Sequence, residues 1–76
     1  MSTTNPEDRM TVIQARERAG LPQIVAAVRL GVSEPTYRKY EQNPELMSIR
    51  TAHKLATVLG VKFDDLALYD DAEHVA

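Results

Sequence analysis

Apolar residues recur at helical rather than strand spacing along most of this chain. The first periodic stretch opens after Thr11, placed as an N-cap, with Gln14 three residues on to reach back and Met10 ahead to staple against Ala15. It closes at Gly20, a residue suited to a left-handed C-cap. Leu21-Pro22-Gln23 restarts the pattern with Pro22 near the first helical position, and the second helix runs to Leu30 and stops at Gly31. The next break is Val32-Ser33-Glu34-Pro35. Ser33 is the preferred cap type, whereas proline's preference for the first helical position would make Glu34 the cap; the pattern leaves both open. A third helix continues through Tyr37 and Tyr40 to Gln42, ended by Asn43-Pro44. Met47-Ser48 repeats the staple and cap, opening a fourth helix with Ile49, Ala52, Leu55, Ala56 and Leu59 on its apolar face and Gly60 at its close. A short fifth helix is expected to carry Phe63 and Leu66, with Leu68 at its edge. The pattern predicts an all-α domain of five short helices over residues 11–69, between a flexible lead (1–10) and an acidic tail (70–76).

Composition narrows the classes. A chain of 76 residues, 43% of them hydrophobic, builds one domain with a modest core, which a partner subunit would help to stabilise. The absence of cysteine removes disulfides, thiolate zinc sites and cysteine nucleophiles, and fits a reducing compartment. No apolar run approaches the roughly 20 residues that span a bilayer, and no charged-then-apolar leader precedes the first helix, so a cytoplasmic protein is expected. No legible set of Ser, His and Asp and no phosphate-cradling glycine loop is present, and His53 and His74 lack partners at metal spacing. Neither an enzyme, a metal site nor a cofactor is expected.

The net charge of −2 is unevenly spread. Residues 16–43 hold Arg16, Arg18, Arg29, Arg38 and Lys39 against Glu17, Glu34 and Glu41, a local excess of +2. Residues 44–76 hold Arg50, Lys54 and Lys62 against Glu45, Asp64, Asp65, Asp70, Asp71 and Glu73, a local excess of −3. A basic middle and an acidic end are compatible with one face turned to DNA. Asp64 and Asp65 are expected near a helix N-terminus, where carboxylates are stabilising.

The second and third helices are separated only by Gly31-Val32-Ser33. A glycine-containing turn of that length sets two helices at a steep angle, as in a helix-turn-helix. Such a unit needs a small residue where the helices approach (Ala27), a glycine at the turn (Gly31) and apolar anchors to seat the second helix (Val32, Tyr37, Tyr40), and each position is suitably filled. Together with Gln23, Ser33 and Glu41, and with Leu59-Gly60-Val61 followed by Phe63 and Leu66, these residues make 11–68 resemble the lambda-repressor-like helix-turn-helix family, of the small phage-repressor, Cro-type and Xre-like kind.

The resemblance implies sequence-specific binding of double-stranded DNA, as a homodimer, by a transcriptional regulator of the phage or prophage repressor type. It places the helix of about 34–42 in the major groove, with Ser33, Glu34, Pro35, Thr36, Arg38 and Lys39 on the DNA-facing positions. Arg38 suits a bidentate contact to guanine O6 and N7, Lys39 the same or a phosphate, and Thr36 a thymine methyl or a phosphate. Gln23, at the start of the second helix, resembles the family's phosphate anchor. Arg16 and Glu41 are implied to form a structural ion pair.

This chain also departs from the family's pattern. Pro22 stands where Ser or Thr is usual, and Glu34 and Pro35 replace the polar pair often used for base readout. Glu34 either accepts from cytosine N4 or stabilises the helix start through the dipole. Ile24, Val25 and Val28 leave the second helix little polar face; they either compensate for the small Ala26 or form a protein-binding patch. That patch and the thin basic face motivate an alternative function, a protein-interaction module on the same fold (antitoxin, anti-repressor or adaptor) with weak DNA binding.

Overall fold

The computed structural model describes residues 9–68, which form four α-helices and two 3₁₀ turns. Helix α1 spans Val12–Arg18, α2 Gln23–Leu30, α3 Glu34–Gln42 and α4 Ile49–Leu59; the 3₁₀ turns are Pro44–Leu46 and Phe63–Asp65.

The capping chemistry explains most boundaries. Thr11 Oγ1 accepts from the Gln14 N–H at 3.0 Å, while Gln14 Oε1 accepts from the Thr11 N–H at 2.9 Å, so two of the orphan donors at the start of α1 are satisfied reciprocally. Ser33 Oγ accepts from the Thr36 N–H at 3.3 Å, and Ser48 Oγ from the Thr51 N–H at 3.0 Å. Ser33, not Glu34, is therefore the N-cap of α3, and Pro35 occupies the first turn, where no N–H is needed. Pro22 is itself the N-cap of α2, one position earlier than the first-helical role expected of it, and it supplies no capping side chain.

Two expectations at the C-terminal end fail. No fifth α-helix forms: Phe63–Asp65 is a single 3₁₀ turn, after which Leu66 is extended and forms an isolated parallel bridge with Met10. The Met10 N–H donates to the Asp65 carbonyl at 2.8 Å and the Ala67 N–H to the Met10 carbonyl at 2.7 Å. Leu66 and Leu68 are buried with a less buried Ala67 between them, the two-residue period of an extended strand. Asp64 and Asp65 accordingly lie in that turn rather than at the start of an α-helix. Met10, grouped by sequence with the lead, belongs to the folded body; the rest of the lead through Asp8, and the acidic stretch Asp70–Ala76, lie outside the described residues.

The core runs from Val12 and Ala15 of α1, through Ala26, Ala27 and Leu30 of α2, to Tyr37 of α3 and Ala52, Leu55, Ala56 and Leu59 of α4. Alanines at 26 and 27 let α2 lie close to both α3 and α4, the elements it packs against. Ile49, expected on the apolar face of α4, is 57% exposed. It sits in the first turn, which overhangs the core, and the buried Met47 just ahead of the Ser48 cap provides the apolar contact there. No helix among the described residues is long and apolar enough to cross a membrane.

Candidate nucleic-acid interface

The junction between α2 and α3 is held by backbone geometry. Gly31 has φ +88°, donates to the Val28 carbonyl at 3.1 Å, and lets Val32 donate back to the Ala27 carbonyl at 3.0 Å. The first bond reaches the Val28 carbonyl, which has no i+4 donor within the helix; the second adds to the Ala27 carbonyl, which also accepts from the Gly31 N–H at 2.9 Å. A Cβ at Gly31 would stand 3.5 Å from Lys54 Nζ, an ordinary contact, so the left-handed backbone and not crowding calls for glycine here.

The faces of α3 are sharply divided. Tyr37 is fully buried and Glu41, one turn on, is 8% exposed, with Tyr40 half-buried beside them. Pro35, Arg38, Lys39 and Gln42 are exposed. At 100° per residue these four share the opposite side of the helix, with Glu34 at its edge. Gln42 was not anticipated from the sequence; its signal is the four-residue step from Arg38. Within the first turn, Ser33 Oγ donates to Thr36 Oγ1 at 3.0 Å, so the two hydroxyls engage each other. Glu34 Oε2 accepts from Arg38 Nη2 at 3.0 Å.

Behind this face, one carboxylate joins three helices. Glu41 Oε2 accepts from Arg16 Nε of α1 at 2.5 Å and Oε1 accepts from Gln23 Nε2 of α2 at 2.8 Å. Arg16 Nη1 also donates to the Leu21 carbonyl at 2.9 Å, which fixes the α1–α2 connection. Burial alone would lower the affinity of Arg16 for its proton, but the hydrogen bond and charge of Glu41 outweigh it and raise the pKa. The Tyr37 hydroxyl lies buried with no hydrogen-bond partner. Its burial first, and then the nearby Glu41 carboxylate, push its pKa well above the usual tyrosine range.

The structure therefore brings Ser33, Glu34, Pro35, Thr36, Arg38 and Lys39 into the first two turns of α3, and ties Gln23 to that helix through Glu41. The greasy side of α2 resolves differently from the packing alternative: Ile24 is 55% and Val28 72% exposed, so neither fills space beside Ala26, while Val25 is half-buried. Ala26 is fully buried as it stands. His53 stacks on Phe63, ring centroids 3.9 Å apart and planes 12° from parallel, and no group of His, Asp and Glu among the described residues comes together to hold a metal.

A family model described as helix-turn-helix matches residues 12–66, from the start of α1 to the bridge at Leu66. No curated protein and no solved structure matches the chain.

Proposed function

Since this chain belongs to the helix-turn-helix family of Xre- and lambda-repressor-like DNA-binding regulators, we propose that it is a repressor of the phage or prophage type that sets α3 into the major groove of a two-fold operator as a homodimer. The family is regulatory and generally not enzymatic. The observation that carries the proposal is the exposed side of α3, where Arg38 and Lys39 stand clear of a body sealed by Tyr37 and Glu41.

Each residue has a task that its chemistry allows. Arg38 offers a planar fork to guanine O6 and N7, a contact that carries about 1–3 kcal/mol of discrimination. Lys39 meets a phosphate or a second purine. Thr36, its hydroxyl already engaged with Ser33, presents its methyl to thymine. Pro35 donates nothing and shapes the approach of the helix, and Gln42 extends the same face by one turn. Gln23 starts α2, whose first N–H groups have no capping side chain, and that terminus suits a phosphate. Dimerisation is argued from reach: one recognition helix covers only a few base pairs, and two-fold pairing doubles the site.

A gel shift on DNA selected from a random pool tests the reading. Arg38→Ala is expected to weaken specific binding and remove the preference at one base pair while leaving the fold intact; unchanged affinity and unchanged sequence preference would overturn the role of Arg38. A second reading, a protein-interaction module with weak DNA binding, is favoured by the exposure of Ile24 and Val28, which are neighbours one turn apart on α2. Salt separates the two. A domain that neutralises several phosphates loses affinity for random DNA with a log–log slope of about −0.9 per contact. A flat response supports the module.

A further inference from the structure

Glu34 and Arg38 stand one helical turn apart on α3, and Glu34 Oε2 accepts from Arg38 Nη2 at 3.0 Å. With the carboxylate on the N-terminal side, the pair has the favourable order for a helix. The fold has no evident need of it: Ser33 already caps α3, and the Glu34 and Arg38 side chains are 31% and 54% exposed, where an ion pair contributes little to stability. What the pair does fix is the direction of a long side chain with many rotamers.

We infer that Glu34 is a positioning residue for Arg38 and sets the sharpness with which that arginine selects guanine. The inference rests on the reading of α3 as the helix in the groove. A guanidinium has five N–H groups in one plane, and Glu34 takes one of them at Nη2. The rest stay available as a fork for the two acceptors on the guanine edge. The carboxylate also cancels the charge of Arg38, which makes a non-specific phosphate contact by this arginine less favourable. Lys39 makes no ion pair among the described residues and keeps its full charge for the backbone. The recognition face thereby divides its labour: Lys39 supplies attraction that ignores sequence, and the Glu34–Arg38 pair supplies choice. Within the groove, where water is displaced, the pair is stronger than in solvent.

The test uses the full chain. Sites are selected from random double-stranded DNA, and binding is then titrated on the winning site and on its single-base variants with wild type, Glu34→Gln, Glu34→Asp, Arg38→Ala and the double variant Glu34→Gln/Arg38→Ala. Arg38→Ala should erase preference at one base pair. Glu34→Gln should lower discrimination at that same base pair about threefold to tenfold, part of the roughly 5- to 150-fold that a bidentate pair carries. Affinity of Glu34→Gln for random DNA should rise, because a negative charge facing phosphates is gone. In the Arg38→Ala background, Glu34→Gln should change that discrimination no further. Glu34→Asp keeps the charge but loses the reach, and should behave at this base as Glu34→Gln does.

Other outcomes overturn the inference. Loss of preference at a different base pair would show that Glu34 reads a base itself. Unchanged discrimination with a lower melting temperature, or full discrimination in Glu34→Asp, would reduce Glu34 to a charge at the helix start. If Arg38→Ala leaves the preference intact, or if no site is selected, the reading of α3 itself fails and the inference with it; those results are recognised without the Glu34 variants.

Discussion

Tyr37 is buried entirely, yet its hydroxyl meets no partner. An orphaned polar group of this kind costs free energy that its removal recovers. Tyr37→Phe is therefore expected to leave stability unchanged or to raise it by up to about 1 kcal/mol, as measured by urea unfolding at neutral pH. The pH dependence follows from the raised pKa. The unfolded chain releases the phenolic proton near pH 10, whereas the folded chain holds it to higher pH. Stability linked to Tyr37 is thus complete below about pH 10 and declines as pH rises above it. Between about pH 8 and 10.5 wild type should lose stability that Tyr37→Phe keeps; an equal change in both would show that folding does not raise the Tyr37 pKa. Little of this neighbourhood was legible in advance. Tyr37 reads as core from its spacing, but no periodic rule links Arg16, Gln23 and Glu41, and only the family resemblance put the first and last of them together. The Gln23 amide joins Glu41 across 18 residues, a separation with no local signal.

Helix boundaries were legible wherever the determining chemistry is local. Thr11 and Ser48 cap through side chains that reach only three residues on, and glycines mark the ends of α1, α2 and α4 through backbone conformation alone. At Gly31 the consequence is measurable. A side chain there has room but is forced into the left-handed region, so Gly31→Ala should cost about 1–2 kcal/mol in urea unfolding. Gly31→Asn should cost less, since asparagine tolerates that region better. A loss of several kcal/mol on Gly31→Ala would point to crowding instead. The element that sequence reasoning misplaced is the segment after Gly60. Phe63 and Leu66 fit a helical spacing, Leu66 and Leu68 a two-residue one, and the choice falls to a partner that is remote in sequence, the backbone of Met10. The overhang of Ile49 has a similar origin, because helical spacing predicts which side faces inward but not where the core ends.

The whole body is small, with a Cα radius of gyration of 12.1 Å. Domains of this size retain only a narrow margin of stability, so single backbone hydrogen bonds matter to the molecule as a unit. Met10→Pro removes the N–H that reaches the Asp65 carbonyl and should lower global stability by about 1–2 kcal/mol. Native-state hydrogen exchange is the appropriate readout: protection should fall together in α1 and α4 if the bridge supports the cooperative unit, and only near residue 66 if it is a local tether. The bridge also has a topological consequence. Because Met10 and Ala67 are hydrogen-bonded neighbours, the two ends of the folded body emerge side by side. The order in which the helices are strung is then largely independent of how they pack: a short linker across that junction, with new termini cut between α3 and α4, should yield a circular permutant with the same α2–α3 geometry.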